Sequence, residues 1–289
     1  MKTALSPIIA GTMNWGVWDK NLNTSEMANL IHVCFENKIT TFDHADIYGG
    51  YTTEASFGKA LTESKIGREK IQLISKCGIQ HISENRENKV KHYDYSKDYI
   101  IWSVENSLKN LHSDYLDVLL LHRPSPLMDA DEIAEAVEKL KSDGKILDFG
   151  LSNFTPSQTD LIRSKTEVSY NQVQFSATDF EAMLNGSLDH MQVNNIRPMA
   201  WNPLGTVFRE NTDQTKRLKT LLADLVSKYH VGSDTILLSW ILQHPAKIIP
   251  IAGTVNVSRL QQLFKATEFK LEKEEWFAIW TESMGNAVP

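Results

Sequence analysis

Short apolar runs alternate with amphipathic segments along this chain with a regularity that few folds accept. SPIIAGT, ITTFDHA, IQLISKC, YLDVLLLH, KILDFGLS, VSYNQVQFS, RPMAWNPL and KIIPIAG each read as a strand. Between them lie SEMANLIHVCFEN, TTEASFGKALTES, SKDYIIWSVENSLKNLH, IAEAVEKLKSDG, PSQTDLIRSK, NGSLDHMQVNN, DQTKRLKTLLADLVSKYH with SDTILLSWILQH, and NVSRLQQLFKAT, which read as helices. Near-continuous apolar strands separated by helices are parallel strands buried on both faces. Eight strand–helix units in strict order predict an α/β fold, a closed (β/α)8 TIM barrel. Right-handed crossovers then put every helix outside and every strand's C-terminal end on one face. An open doubly wound sheet needs a GxGxxG turn after its first strand, and IAGTMNWG has its glycines wrongly spaced.

A barrel of this kind routinely fills one domain of this length, and no shift in composition divides the chain, so residues 1–289 are expected to form one barrel domain. Thr24 or Ser25 is expected to cap the first helix, and Gly144 to end the fourth. Residues 80–97 are polar and aperiodic and read as a long loop, the kind that serves as a lid. LEKEEWFAIWTESMGNAVP adds a C-terminal helix on which Trp276 and Trp280, four apart, form a core stripe.

A net charge of −6 argues against a nucleic-acid partner, which needs clustered Lys and Arg. Cys34 and Cys77 have neither metal-type spacing nor a disulfide framework, and the nine histidines form no ligand set. No segment approaches the ~18 apolar residues of a membrane span, and the N-terminus lacks a signal-peptide pattern. The expectation is a cytoplasmic protein with no membrane partner.

Three strands end on ionisable groups: Asp43 after ITTF, Lys76 after IQLIS and His122 after YLDVLLL. Adjacent strands lie ~4.8 Å apart, so these groups should converge, and a Gly-rich tether folds Tyr48 over the same mouth. A tyrosine titrates near ~10 when unperturbed. Lys76 is expected to lower that value, with Asp43 holding the ammonium and His122 bonding a substrate oxygen. Such a set suits protonation of a carbonyl oxygen as hydride arrives at its carbon, and a bound nicotinamide or flavin must supply the hydride. Ser152, Asn153 and Gln172 can bind a carboxamide, and Trp201 can stack on a flat ring, with Asn202 and Leu204 of AWNPLG beside it. Gly253 and Thr254 lead into a helix whose first N–H groups suit a phosphate, and Arg259 adds a fork. His44 reads as a wall residue and Cys77 as a buried, inert thiol.

In DHADIYG, LISKCG, LLLHRP, GLSNF and NQVQ the chain resembles the aldo-keto reductases, in order and spacing over nearly its whole length; the short C-terminal tail is like that of a bacterial branch. The resemblance implies an enzyme that reduces aldehyde or ketone carbonyls with NADPH, binding cofactor before substrate, as a monomer or weak homo-oligomer. It implies Tyr48 as the general acid, Lys76 and Asp43 as the pair that tunes it, His122 as the substrate-orienting group, and Ser152, Asn153 and Gln172 as carboxamide contacts. By the same resemblance Thr12 and Met13 line the nicotinamide pocket and Trp15 and Trp18 the substrate side. Where many members carry Lys-Ser, this chain has Gly253-Thr254, so the 2′-phosphate preference rests largely on Arg259 with Thr254 and NADH stays open as an alternative. Leu263 stands where an adenine-binding amide is usual. A non-catalytic, nicotinamide-binding regulatory or redox-sensing partner resembling channel β-subunits is the alternative. A metal-dependent hydrolase would need more strand-end histidines than His122.

Overall fold

The computed structural model describes residues 3–288. Its strands are β1 (Ile9–Gly11), β2 (Thr41–Asp43), β3 (Gln72–Cys77), β4 (Ile79–Gln80), β5 (His92–Tyr93), β6 (Leu116–Leu121), β7 (Ile146–Ser152), β8 (Tyr170–Gln174), β9 (Arg197–Trp201) and β10 (Ile249–Ala252). All but β4 and β5 form a closed parallel barrel in chain order, sealed where Ile9 and Ala10 pair with Ile251 and Ala252. This is the eightfold α/β barrel that the sequence pattern predicts.

Helices α1 (Thr24–Glu36), α2 (Thr53–Ser64), α3 (Lys97–Leu111), α4 (Ala130–Ser142) and α5 (Pro156–Arg163) follow successive strands. After them come α6 (Glu181–Leu184), α7 (Ser187–Val193), α8 (Asp213–Tyr229), α9 (Ser233–Leu242), α10 (Val257–Leu263) and α11 (Lys273–Met284). No helix among the described residues is long and apolar enough to cross a membrane. The cap of α1 is Asn23 rather than Thr24 or Ser25: its side chain accepts from the Glu26 N–H while Glu26 reaches back to the Asn23 N–H. That reciprocal pair satisfies two helix-end donors at once, which neither hydroxyl one residue later would do. Segment 80–97 is not wholly loop: β4 and β5 close it at its base as an antiparallel hairpin.

Strand alternation explains where the site sits. Successive residues of a strand face opposite ways. In β3, Leu73 and Cys77 belong to the layer between barrel and helices, whereas Ile74 joins Ile9, Val118, Leu120, Tyr170, Met199, Ile249 and Ile251 in a separate apolar cluster that fills the barrel. The same parity carries Lys76 inward above Ile74, His122 inward above Leu120, and Asp43 inward beyond the outward Phe42. Bulky apolar side chains plug the middle of the cylinder, so the polar residues collect in its topmost layer.

The last helix closes the assembly. Trp276 of α11 stacks on Trp240 of α9 at 5.1 Å, and each indole N–H donates to the other residue's carbonyl, at 3.0 and 3.1 Å. Trp280 stands beside Trp276 in the expected stripe, at 6.3 Å.

Candidate active site

Lys76 organises the mouth. Its ammonium is fully buried and donates to Asp43 Oδ2 at 2.7 Å, to the His44 carbonyl at 2.8 Å and to Tyr48 Oη at 3.1 Å. An ammonium has three hydrogens, and all three are used. Tyr48 Oη therefore accepts from Lys76 and keeps its own hydrogen free to donate elsewhere. Gln172 Nε2 donates to the other oxygen of Asp43 at 2.9 Å, so the carboxylate is held from β3 and from β8. The Tyr48 and His122 rings meet edge to face at 6.1 Å, and His122 is anchored by its N–H to the Cys77 carbonyl at 3.0 Å. The three residues named from the strand ends and Tyr48 thus converge.

Their electrostatics differ in one respect from the sequence expectation. Burial pushes the Tyr48 phenol above its ordinary value, and the Lys76 ammonium pulls it down without reversing the shift. The lowered phenol is corrected to a raised one, because the dry wall that brings Lys76 close also penalises the phenolate. Burial likewise opposes charge on Lys76, but Asp43 and Tyr48 outweigh it and hold the ammonium above its ordinary value. Burial, then the positive charges of Lys76, Arg123 and Lys91, hold His122 well below the usual histidine value, so it is a neutral imidazole. Its buried Nδ1 has no partner among the described residues.

Opposite the tetrad, the ends of β7 and β9 are tied together. Asn153, in the left-handed region at φ 62°, donates from Nδ2 to Ser152 Oγ at 2.8 Å and accepts the Trp201 indole N–H on Oδ1 at 2.9 Å. The indole is fixed while only half buried, and the Ser152 hydroxyl keeps its hydrogen. A fixed aromatic face beside a hydroxyl donor fits a flat, amide-bearing ring such as nicotinamide. Asn202, at φ 53°, accepts from Arg209 at 2.9 Å, and Leu204 packs against the core.

The phosphate end is looser. Gly253 is exposed just past β10, Thr254 Oγ1 accepts the Asn256 N–H at 3.1 Å, and Asn256 Oδ1 accepts the Arg259 N–H at 3.1 Å. One of the helix-end donors expected to be free is therefore capped by the chain itself. The Arg259 side chain is exposed, and Leu263 is buried in the core, where it makes no polar contact.

Two residues expected at the pocket lie elsewhere. Trp15 is wholly buried against Phe42 and Phe57 at 6.2 and 6.0 Å, in the layer between barrel and helices, so it lines no substrate wall. Thr12 is also fully buried, its hydroxyl bonded to the Asp43 carbonyl and to His44 Nδ1, both at 2.9 Å. Gly11 takes the inward place in β1, which turns Thr12 outward, and alternation alone would have said so. Met13 and Trp18 are exposed at the mouth, and Trp18 stands edge-on to Tyr48 at 6.1 Å. His44 is the wall residue expected, its ring 4.3 Å from that of Phe57. Burial first, then nearby acids, pushes the Cys77 thiol well up, so it is inert.

The sequence reading passed over three residues. His81 packs on Trp18 at 5.7 Å and completes the wall above Tyr48. Asp46 is buried behind the Tyr48 loop, accepts from Ser103 and Tyr99, and is pushed up to about 8 by burial and by Glu54. Arg123, next to His122, holds its guanidinium 5.7 Å from the Trp201 ring centroid. Only Arg123 gave a signal, as a cation adjoining a strand-end histidine.

Comparison with known proteins identifies the family. The family model described as the aldo/keto reductase family matches residues 7–281. The oxidoreductase YcsN of Bacillus subtilis is 43% identical, over 98% of this chain and 96% of its own. A 6-dehydroglucose reductase of Agrobacterium fabrum is 35% identical, over 99% and 97%. The crystal structure of a thermostable aldo-keto reductase, Tm1743, in complex with the inhibitor epalrestat superposes with a TM-score of 0.84 at 26% identity, covering 96% of this chain and 95% of that one. The chain belongs to the aldo/keto reductase family and is a nicotinamide-dependent oxidoreductase.

Proposed function

We propose that the protein reduces aldehyde or ketone carbonyls to alcohols with NADPH, the proton coming from Tyr48. The observation that carries this reading is the exhausted donor set of Lys76, which makes Tyr48 Oη an acceptor from the ammonium and leaves the phenol's own hydrogen free to donate. When bound, the nicotinamide would supply hydride to the carbonyl carbon. Tyr48 donates to the carbonyl oxygen as negative charge develops there, and Lys76, fixed by Asp43, stabilises the phenolate left behind. A raised phenol suits a proton donor, since the group is fully protonated until substrate arrives. Neutral His122 orients the carbonyl oxygen from the other side without competing as an acid.

Ser152 and Gln172 would bond the carboxamide, and Trp201, braced by Asn153, would carry the ring. Asn202, Leu204 and Gly253 would follow the cofactor towards Arg259, which would take the 2′-phosphate with Thr254 beside it. Met13 would cover the ring from the open side, and Trp18 and His81 would wall the substrate. The Agrobacterium relative's name, a reductase of an oxidised sugar, agrees with a small carbonyl substrate. The test is loss of reduced-nicotinamide absorbance with a panel of small aldehydes and ketones, run with NADPH and with NADH. Turnover with NADPH is expected; oxidation of neither cofactor by any carbonyl would remove the reading.

A further inference from the structure

Arg123 differs from the acid-paired arginines of this molecule in what it faces. Arg68 pairs with Asp117 at 2.6 Å, Arg163 with Asp160 at 3.4 Å and Arg217 with Glu282 at 3.8 Å. Arg123 has no acid within ion-pair distance among the described residues; its guanidinium lies over the half-buried Trp201 ring at the mouth. Its main chain is nonetheless held firmly. Tyr95, itself buried, donates from Oη to the Arg123 carbonyl at 2.5 Å and accepts the Arg123 N–H at 3.1 Å. A cation so placed is prepared for a partner that the protein does not provide.

Its surroundings carry the wrong sign for an acidic protein. The net charge is −6, yet the charges that bear on His122 are those of Lys76, Arg123 and Lys91, all positive. Asp43 neutralises Lys76. Arg123 has no ion-pair partner at the mouth among the described residues, and the exposed Lys91 adds positive charge that reaches His122, so the two attract an anion before it docks.

We propose that Arg123 is a specificity-determining residue of the mouth, clamping a carboxylate carried by the carbonyl substrate, with Lys91 adding a second positive charge at the rim. A single planar guanidinium matches a single carboxylate through two parallel hydrogen bonds. The preferred substrates are then carbonyl acids rather than neutral aldehydes. This rests on the reductase reading above, and it adds the class of substrate.

Kinetics at saturating NADPH with para-formylbenzoate and its methyl ester isolate the charge, because the two present the same aldehyde. The wild-type protein is expected to favour the carboxylate in kcat/KM by roughly tenfold or more, the size of one charge-assisted pair. The preference lies in KM and shrinks as salt is raised. In Arg123→Gln the ratio falls towards one whatever the absolute rates, and in Arg123→Lys part of it returns. A merely structural arginine would lower both rates together. A wild-type ratio of one or less, or a ratio unchanged in Arg123→Gln, overturns the proposal while leaving carbonyl reduction standing. If neither aldehyde is reduced, benzoate titration followed by tryptophan fluorescence still decides: weaker binding in Arg123→Gln supports the carboxylate clamp, and equal binding overturns it.

Discussion

The corner where β2, β3 and β6 end and the edge where β10 runs into α10 face one mouth and are built in opposite ways. In the corner, Lys76 is 1% exposed and Asp43 3%, and every hydrogen of the ammonium has an acceptor within the protein. At the edge, Arg259 is exposed, and α10 is seven residues long. Moving a proton needs groups fixed to fractions of an ångström in a dry setting, where electrostatic effects are strong. Holding a phosphate needs charge within reach, and an exposed fork that orders on binding suffices. The corner is therefore expected to fail all at once when altered, and the edge by degrees.

The largest effect is expected at the centre of the corner. Lys76→Met leaves the Asp43 carboxylate buried without its cation, which costs about 3–5 kcal/mol of stability in such settings, along with carbonyl turnover. Denaturant unfolding of Lys76→Met beside the double variant with Asp43→Asn separates the two losses. The double variant should recover stability and remain inactive. Recovery of activity with stability would show that the pair only holds the fold.

Tyr48→Phe comes next. Turnover should drop ~100-fold or more, the range of a positioned general acid, with NADPH affinity unchanged. Because His122 is neutral well below the ordinary histidine value of 6.5, its protonation is lost from the working range, and kcat/KM should show no step as pH falls through that value. The same depression makes His122 a source of stability that is present above 6.5 and lost progressively as pH falls below it. A step near 6.5 that His122→Gln abolishes would place a charged imidazole in the mechanism.

The two regions also differed in how far the sequence exposed them. Asp43, Lys76 and His122 were legible because each closes an apolar run, and the period of a strand turns all three inward at one level. Trp15 and Trp18 were not separable, since they lie in a loop three residues apart, where no period says which ring enters the core. Nor could sequence supply the depth of burial that raises the Tyr48 phenol, or reveal a hairpin whose strands β4 and β5 are two residues each. At the edge, Arg259 was found by its spacing after Thr254, but the cap by which Asn256 engages its N–H is a matter of loop geometry.

Arg259→Ala tests the edge directly. Loss of one exposed charge-assisted contact should weaken NADPH roughly tenfold and leave NADH nearly unaffected, as read by fluorescence titration of each. Equal weakening of both would move Arg259 from the 2′-phosphate to a group the two cofactors share.

Asn256→Ala should have the smallest effect and is the finest probe of the contrast. Asn256 Oδ1 accepts from the Arg259 N–H and from Ser258 Oγ at 2.6 Å, so it ties the first turn of α10 together. Removing an N-cap of this type costs about 1 kcal/mol, and in so short a helix the loss should appear as fraying of residues 257–263 rather than global unfolding. Hydrogen exchange should accelerate there and stay unchanged in β3 and β6, while NADPH weakens by a few-fold at most. Faster exchange at Lys76 or His122 in this variant would mean that the edge and the corner are coupled, and that their opposite construction is not the separation of tasks it implies.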